Sequence, residues 1–282
     1  MLNNGPDQWL ERFPWPGREA HKYRRGSLVV VSGPMSRTGA ARLAARAGLR
    51  IGAGVVTVLS PPDALLVNAV NLEAVMVRSF GTPEALEERA RGAVAAVIGP
   101  AAGVGDQTRE NLSALKRGGC ALVVDADALT SFRDERAQLF GQLGPNDVLT
   151  PHEGEFERLW PGLLASGREA AARRAAEESG AVVLLKGPET LVAAPDGRLA
   201  RNGNGTPWLA TAGSGDVLAG MIGGLIAQGA EAFDAACMAV WLHAEAGASV
   251  GPGLISEDLP ERLPAALSSL YEKSRASRDA RP

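Results

Sequence analysis

Between residues 26 and 230 the chain alternates two hydrophobic patterns. Short runs of branched apolar residues are followed by longer stretches whose apolar positions recur with helical spacing. Ser27-Leu28-Val29-Val30-Val31-Ser32 is a continuous run of the kind expected of a strand buried on both faces. A glycine turn and an Ala-rich helix to about Leu49 follow it. Further strands are predicted at Val55 to Leu59, Ala93 to Ile98, Ala121 to Val124, Asp147 to Leu149 and Val182 to Leu185. Helices are predicted at about Asp63 to Val70, Gln107 to Arg117, Gly167 to Ser179 and Val217 to Gln228. Leu191 to Ala194 and Arg198 to Arg201 flank Pro195-Asp196-Gly197 and read as a hairpin. Strands alternating with helices imply one mostly parallel sheet covered on both faces, an α/β fold.

No repeat and no shift in composition divides residues 26–270, so this stretch reads as one domain. Residues 1–25 differ: Trp9, Phe13, Pro14, Trp15 and Pro16 sit among charges with neither period. Two readings stand for them, a lead-in pinned to the surface by its aromatics and the remnant of a linker from a longer parent chain. Residues 271–282 are expected to be a disordered tail.

Composition narrows the function classes. Glycine makes up 34 of 282 residues, well above the ordinary ~7%, which points to tight βα turns or close backbone approach to a ligand. A net charge of −3 leaves no basic patch for nucleic acid. Cys120 and Cys237 lie far apart in apolar runs and read as core thiols. No signal peptide opens the chain and no apolar run reaches ~18 residues, so a cytoplasmic protein without membrane contact is expected.

The candidate chemistry centres on Gly203 to Gly229, where turn residues give way to a small, apolar helix. Between them stands Ala212-Gly213-Ser214-Gly215-Asp216. A glycine turn that opens a helix aims unpaired N–H groups at one point, and the helix dipole adds positive potential there, a place to hold a phosphoryl group. Asp216 either reaches the hydroxyl facing that group or merely favours the positive helix end. Other special residues fall just after predicted strands or at helix starts: Gly33, Gly103, Gly105, Asp125, Asp127, His152 and Lys186. In a parallel sheet those positions share one edge. Asp125 and Asp127 read either as helix caps or as carboxylates near Mg²⁺ or a phosphate-bound water. Lys186 reads either as a charge facing phosphate or as a solvated strand end, and His152 as structural or catalytic. His21 and His243 carry no recognisable arrangement. The glycine turn after the first strand lacks the Gly-Lys-Ser/Thr ending of a P-loop, and neither a hydrolase triad nor a metal-ligand cluster is spaced along the chain.

Seven separated stretches together resemble the ADP-dependent NAD(P)H-hydrate dehydratase family. They are Gly39-Ala40 with its helix, Gly52 to Thr57, Ile98 to Gly105, Val124 to Leu129, Leu149 to Glu155, Leu185 to Thr190 and Asn202 to Gly220. They occur in the family's order and cover roughly residues 22–263. The resemblance implies a ribokinase-like three-layer α/β/α sandwich with a mostly parallel central sheet. It implies repair of the 6S hydrate of NADH or NADPH, with ADP as donor in bacteria and ATP in eukaryotes. The ring hydroxyl is phosphorylated and phosphate is then eliminated. On this resemblance Asp216 would be the base, and the amides of Gly213, Ser214 and Gly215 would stabilise the phosphoryl group in flight. Ala40, Gly103, Gly105, Asp127, His152 and Asp216 fall at hydrate-binding positions, and Lys186, Gly187, Pro188, Glu189, Thr190, Asn204 and Gly215 at nucleotide positions. Mg²⁺ would bridge the ADP phosphates with few protein ligands. A homo-oligomer, with a tetramer the expected form, and an NAD(P)H-hydrate epimerase as functional partner are also implied.

The chain departs from the family pattern in three places. Ala212 stands where glycine is usual, Trp208 where a small or thioether residue is common, and the turn Gly99 to Gly105 is longer. A helix N-terminus is expected to depress the pKa of Asp216, making it a weak base. The rival readings are a ribokinase-like small-molecule kinase and a silent adenylate-binding sensor.

Overall fold

The run at Ser27 does form a strand, and its pleat divides its side chains between two cores. Leu28 and Val30 enter one, Val29 and Val31 the other, and all four are buried. A computed structural model describes residues 1–279. Its strands are β1 (Leu2–Asn3), β2 (Ser27–Val31), β3 (Val55–Ser60), β4 (Met76–Ser79), β5 (Ala95–Ile98), β6 (Ala121–Val124), β7 (Val148–Leu149), β8 (Val182–Leu185), β9 (Thr190–Ala193) and β10 (Leu199–Asn202). They form one sheet in the order β1-β10-β9-β8-β7-β6-β5-β2-β3-β4. Only β9 runs against the rest, pairing antiparallel with β8 and β10. The expected hairpin is therefore present, and the sheet is mostly parallel as predicted.

Helices cover both faces and make the expected three layers. One face carries Gly39–Arg50, Ser214–Ala227 and Ala232–Val250. The other carries Pro83–Ala90, Asp106–Arg117, Glu153–Leu159 and Arg168–Ser179. Cys120 and Cys237 are free and buried in these cores, and burial raises both thiol pKa values, Cys120 to about 11.

Helices Gly39–Arg50 and Ser214–Ala227 lie side by side with their N-termini at the same end, because glycines let the backbones meet. A methyl group on Gly220 would sit 2.0 Å from the Ala44 carbonyl oxygen, and one on Gly48 would sit 3.1 Å from that of Gly220. Gly220→Ala should therefore force the two helices apart and cost about 3 kcal/mol. A urea midpoint lowered at unchanged slope would show it; an unchanged midpoint would mean the pair can slide.

Two terminal expectations need correction. Residues 1–25 are tied into the fold by more than surface aromatics. Strand β1 extends the sheet alongside β10, Trp9 is 1% exposed, and its indole stands edge-on to Trp241 at 5.8 Å. Asn4 links Trp9 Nε1 to Asn202 and the Cys237 carbonyl. Residues 271–279, expected to be disordered, continue the helix Asp258–Asp279. Leu259, Leu263 and Leu270 anchor that helix in the core, and Tyr271 packs edge-on to Trp15 at 5.1 Å. Pro264 breaks the helical pattern in sequence without ending the helix. The rest of the expected tail, 280–282, lies outside the described residues. Among the described residues, no helix is long and apolar enough to cross a membrane.

Candidate active site

The carboxyl ends of β5, β6, β7 and β8 lie next to one another, because each ladder continues one residue past its strand. Asp125 N donates to Ile98 O, Thr150 N to Val124 O and Lys186 N to Pro151 O. This edge carries the glycine turn of Gly99 to Gly105, the two aspartates, His152 and Lys186.

The turn before helix Ser214–Ala227 faces the same edge. Gly213 has φ 86° and ψ −11°, the left-handed region, and a Cβ there would lie 2.7 Å from Leu43 Cδ1. The positive φ is what favours glycine here, and a side chain would also displace the tip of Leu43. Ala212 is not among the positive-φ residues, so its methyl group is tolerated. Among the described residues, no protein group accepts from the amides of Gly213, Gly215 or Asp216. Ser214 N reaches only Thr211 O, at 3.4 Å. Unsatisfied donors at a helix start are what an anion site needs.

Lys186 and Asp125 stand against this turn. A Cβ on Gly215 would lie 3.5 Å from Lys186 Nζ and 3.8 Å from Asp125 Oδ2. Lys186 Nζ donates to Asp125 Oδ1 at 2.8 Å and lies 3.8 Å from Glu155 Oε2, and both carboxylates are buried. Burial works against the lysine charge, but Asp125, Glu155 and Asp216 outweigh it and raise the Lys186 pKa above its ordinary value. This removes one alternative for each residue. Asp125 makes no side-chain cap bond to helix Ala126–Ser131, and Lys186 is no solvated strand end.

The pKa expected for Asp216 is overturned. Burial first, then the charge of Asp125, pushes it up to about 6, with Lys186 opposing and Asp127 adding a smaller upward effect.

Asp127 and Ser131 hold the long turn after β5. Asp127 Oδ2 accepts from Gly103 N at 2.9 Å, and Ser131 Oγ from Gly105 N at 3.0 Å. Neither amide is therefore free. Ala126, between the two aspartates, has φ 50°, a left-handed conformation that costs a non-glycine residue about 1–2 kcal/mol. His152 caps helix Glu153–Leu159: its Nδ1 accepts from the amides of Gly154 and Glu155, and Glu155 Oε2 accepts from His152 N. The ring's Nε2 stays at the half-exposed face, 3.4 Å from Glu155 Oε1. Ala40 is half-buried at the start of the helix whose Leu43 meets Gly213.

The nucleotide positions join the same region. The turn Lys186 to Thr190 links β8 and β9. Thr190 Oγ1 donates to Gly187 O, and Arg168 braces the turn from behind through Lys186 O and Glu189 O. A Cβ on Gly205 would lie 3.0 Å from Pro188 O, so the 203–211 loop touches this turn. The Asn204 side chain, expected at nucleotide, is spent inside the protein. It donates to Glu245 Oε1 and Trp241 O and accepts from Asn202.

Sequence reasoning passed over three residues here. Glu155 could have been found from the spacing of His152 and Glu155, the signature of a capping box. Arg168 opens a helix far along the chain, and His243 sits in an almost wholly apolar one, so neither gave a signal. Among the described residues, no group of three or more His, Cys, Asp or Glu side chains is placed to hold a metal ion.

Comparison with known proteins shows the family and the fold. Residues 28–264 match the family model described as NAD(P)H-hydrate dehydratase. The chain is 39% identical over 241 residues to a bifunctional NAD(P)H-hydrate repair enzyme of Gloeobacter violaceus, covering 81% of this chain and 46% of the relative. It is 34% identical to the ADP-dependent (S)-NAD(P)H-hydrate dehydratase of Xanthomonas campestris, covering 93% of this chain and 94% of that one. It spans about half the length of the bifunctional relatives. Among solved structures, a ribokinase-like superfamily protein of Enterococcus faecalis superposes with a TM-score of 0.84 at 24% identity, over 95% of this chain and 96% of that one. An ADP/ATP-dependent NAD(P)H-hydrate dehydratase of Bacillus subtilis, co-crystallised with ATP/Mg²⁺, superposes with a TM-score of 0.81 at 24% identity, over 95% and 99% of the two chains. These two likenesses establish the fold.

Proposed function

Because the chain belongs to the NAD(P)H-hydrate dehydratase family, we propose that it restores NADH or NADPH from the 6S hydrate at the expense of ADP. The observation that carries this reading is Asp216, half-buried and poised near neutrality, on the first turn of a helix whose neighbouring amides have no protein acceptor among the described residues. The hydrate's hydroxyl oxygen attacks the β-phosphorus of ADP, its proton passes to Asp216, and AMP leaves. Phosphate then departs from carbon 6 as the neighbouring ring carbon loses a proton, which restores the reduced nicotinamide. Charge on the phosphoryl oxygens is met by the Gly213, Gly215 and Asp216 amides, with Lys186 beside Gly215.

A pKa near 6 suits a base at neutral pH better than an ordinary aspartate would. Ala40, Gly103, Gly105, Asp127 and His152 would frame the hydrate, and the turn Lys186 to Thr190 the nucleotide. Asn204 would act by fixing its loop. Mg²⁺ would ride on the nucleotide phosphates and keep most of its waters, neutralising their charge, with Asp125 and Asp127 the nearby carboxylates that could add a donor.

Product analysis separates this reading from its rivals. Phosphorus NMR of protein, ADP, Mg²⁺ and hydrate should show AMP and free phosphate rising together. A stable phosphorylated product would indicate a kinase, and unchanged ADP a binding protein. The titration of Asp216 adds a second prediction. The base must be ionised to take the proton, so kcat/KM should be level above its pKa of about 6. It should fall about tenfold per pH unit below that value. A profile level down to about pH 4 would mean that the base keeps an ordinary aspartate pKa in the free enzyme.

A further inference from the structure

His243 lies directly beneath the phosphoryl turn, 5% exposed, on helix Ala232–Val250. Its Nε2 is 3.0 Å from the Ser214 carbonyl oxygen and 3.2 Å from Ser214 Oγ. A carbonyl oxygen only accepts, so Nε2 carries the ring proton. Burial drives its pKa down to about 4, against the bond to Ser214, and Lys186 disfavours a second proton further. The imidazole is therefore neutral and of one tautomer. With Nε2–H shared between the two Ser214 oxygens, the hydroxyl acts as acceptor, and its own proton is not consumed by the ring.

The same helix holds the preceding loop. Asn204 is bound to Glu245 and to the Trp241 carbonyl, and a Cβ on Gly247 would lie 2.7 Å from Leu209 Cδ2. The chain from residue 204 to residue 214 is thus tied to one rigid face at three levels, with His243 at the level of the turn.

We propose that His243 is a positioning residue for phosphoryl transfer, whose Nε2–H clamps Ser214 so that the free amides of Gly213, Gly215 and Asp216 converge on one point. The kinetic part rests on the dehydratase reading; the clamp itself does not. Preorganised donors of this kind act on the transition state more than on bound substrate. Loss of the clamp should therefore lower kcat and leave binding nearly unchanged.

The test compares His243→Leu with His243→Gln, whose amide can place an N–H near the Nε2 position. The Leu variant should lose about tenfold or more in kcat, with KM for ADP and hydrate within about threefold, and Gln should recover most of the loss. Thermal unfolding of both variants shows whether the fold is kept. A folded Leu variant with unchanged kcat, or one that loses KM instead, would overturn the proposal. Nitrogen-15 NMR of the wild-type imidazole gives a readout independent of turnover and of any variant's folding. A protonated Nε2, unchanged between about pH 5.5 and 8.5, is expected. A bare Nε2 would overturn the clamp even in an active enzyme. If the wild type turns over no hydrate while Nε2 is protonated, the dehydratase reading fails, the kinetic role of His243 falls with it, and the clamp stands.

Discussion

Asp216→Asn should abolish turnover and make the protein more stable. As a general base, a carboxylate in reach of the reacting hydroxyl contributes roughly 10³-fold, and an amide cannot take the proton. ADP affinity should change little, because the turn's free amides and Lys186 are untouched. The stability change follows from the direction of the pKa shift, from the ordinary 3.8 up to about 6. A carboxyl that holds its proton more tightly when folded lends stability that is fully present below the unfolded pKa and lost as pH rises through the folded one. At neutral pH the wild type therefore bears a half-buried charge that the fold disfavours. Asparagine removes that charge, and a gain of at most about 3 kcal/mol is expected, from about 1.4 kcal/mol per pKa unit less what solvent screens at this half-buried position. Urea unfolding at about pH 8 and about pH 4 should show the gain at the higher pH and little at the lower. Unchanged turnover would remove Asp216 from the mechanism. A destabilised variant at the higher pH would mean that the ionised carboxylate is well solvated in the fold.

Lys186→Ala should have the opposite effect on stability. Its ammonium faces Asp125, which is 2% exposed, with the buried Glu155 3.8 Å away and Asp216 close enough to be felt. Removing one partner of such a buried set leaves uncompensated charge, at a cost of about 3–5 kcal/mol. The pKa of Asp216 should also rise, because Lys186 is the charge that lowers it, and the acid limb of kcat/KM should move to higher pH. Denaturant unfolding and the pH profile read these effects separately. A midpoint within about 0.5 kcal/mol of wild type would show that water or rearrangement screens the carboxylates.

What the sequence revealed and what it hid divide by range. Branched runs such as Ser27–Val31 and turn signals such as Pro195-Asp196-Gly197 report on neighbours in the chain, and the strands they predict are present. Strand β4 was not predicted because Met-Val-Arg-Ser lies at the sheet edge, half exposed, and has no continuous apolar run. At the site, the edge position of the special residues was legible, because every parallel strand delivers its carboxyl end to the same side. Pairing was not. Asp125 and Lys186 stand 61 residues apart, and nothing local distinguishes their ion pair from a cap and a solvated lysine. The Asp216 pKa went astray for the same reason. The helix dipole is visible in sequence, whereas burial and the Asp125 charge arise only when distant segments meet. Trp9 and His243 repeat the lesson. An aromatic among charges is buried, and a histidine in an apolar helix sits under the phosphoryl turn.

The most direct test of the central claim is absorbance at the reduced-nicotinamide band. Purified protein, Mg²⁺ and chemically prepared hydrate are mixed with ADP, with ATP or with neither. Absorbance that grows with ADP and stays level without nucleotide is the result predicted here. Level traces with both nucleotides, from protein shown to bind them, would contradict the dehydratase reading.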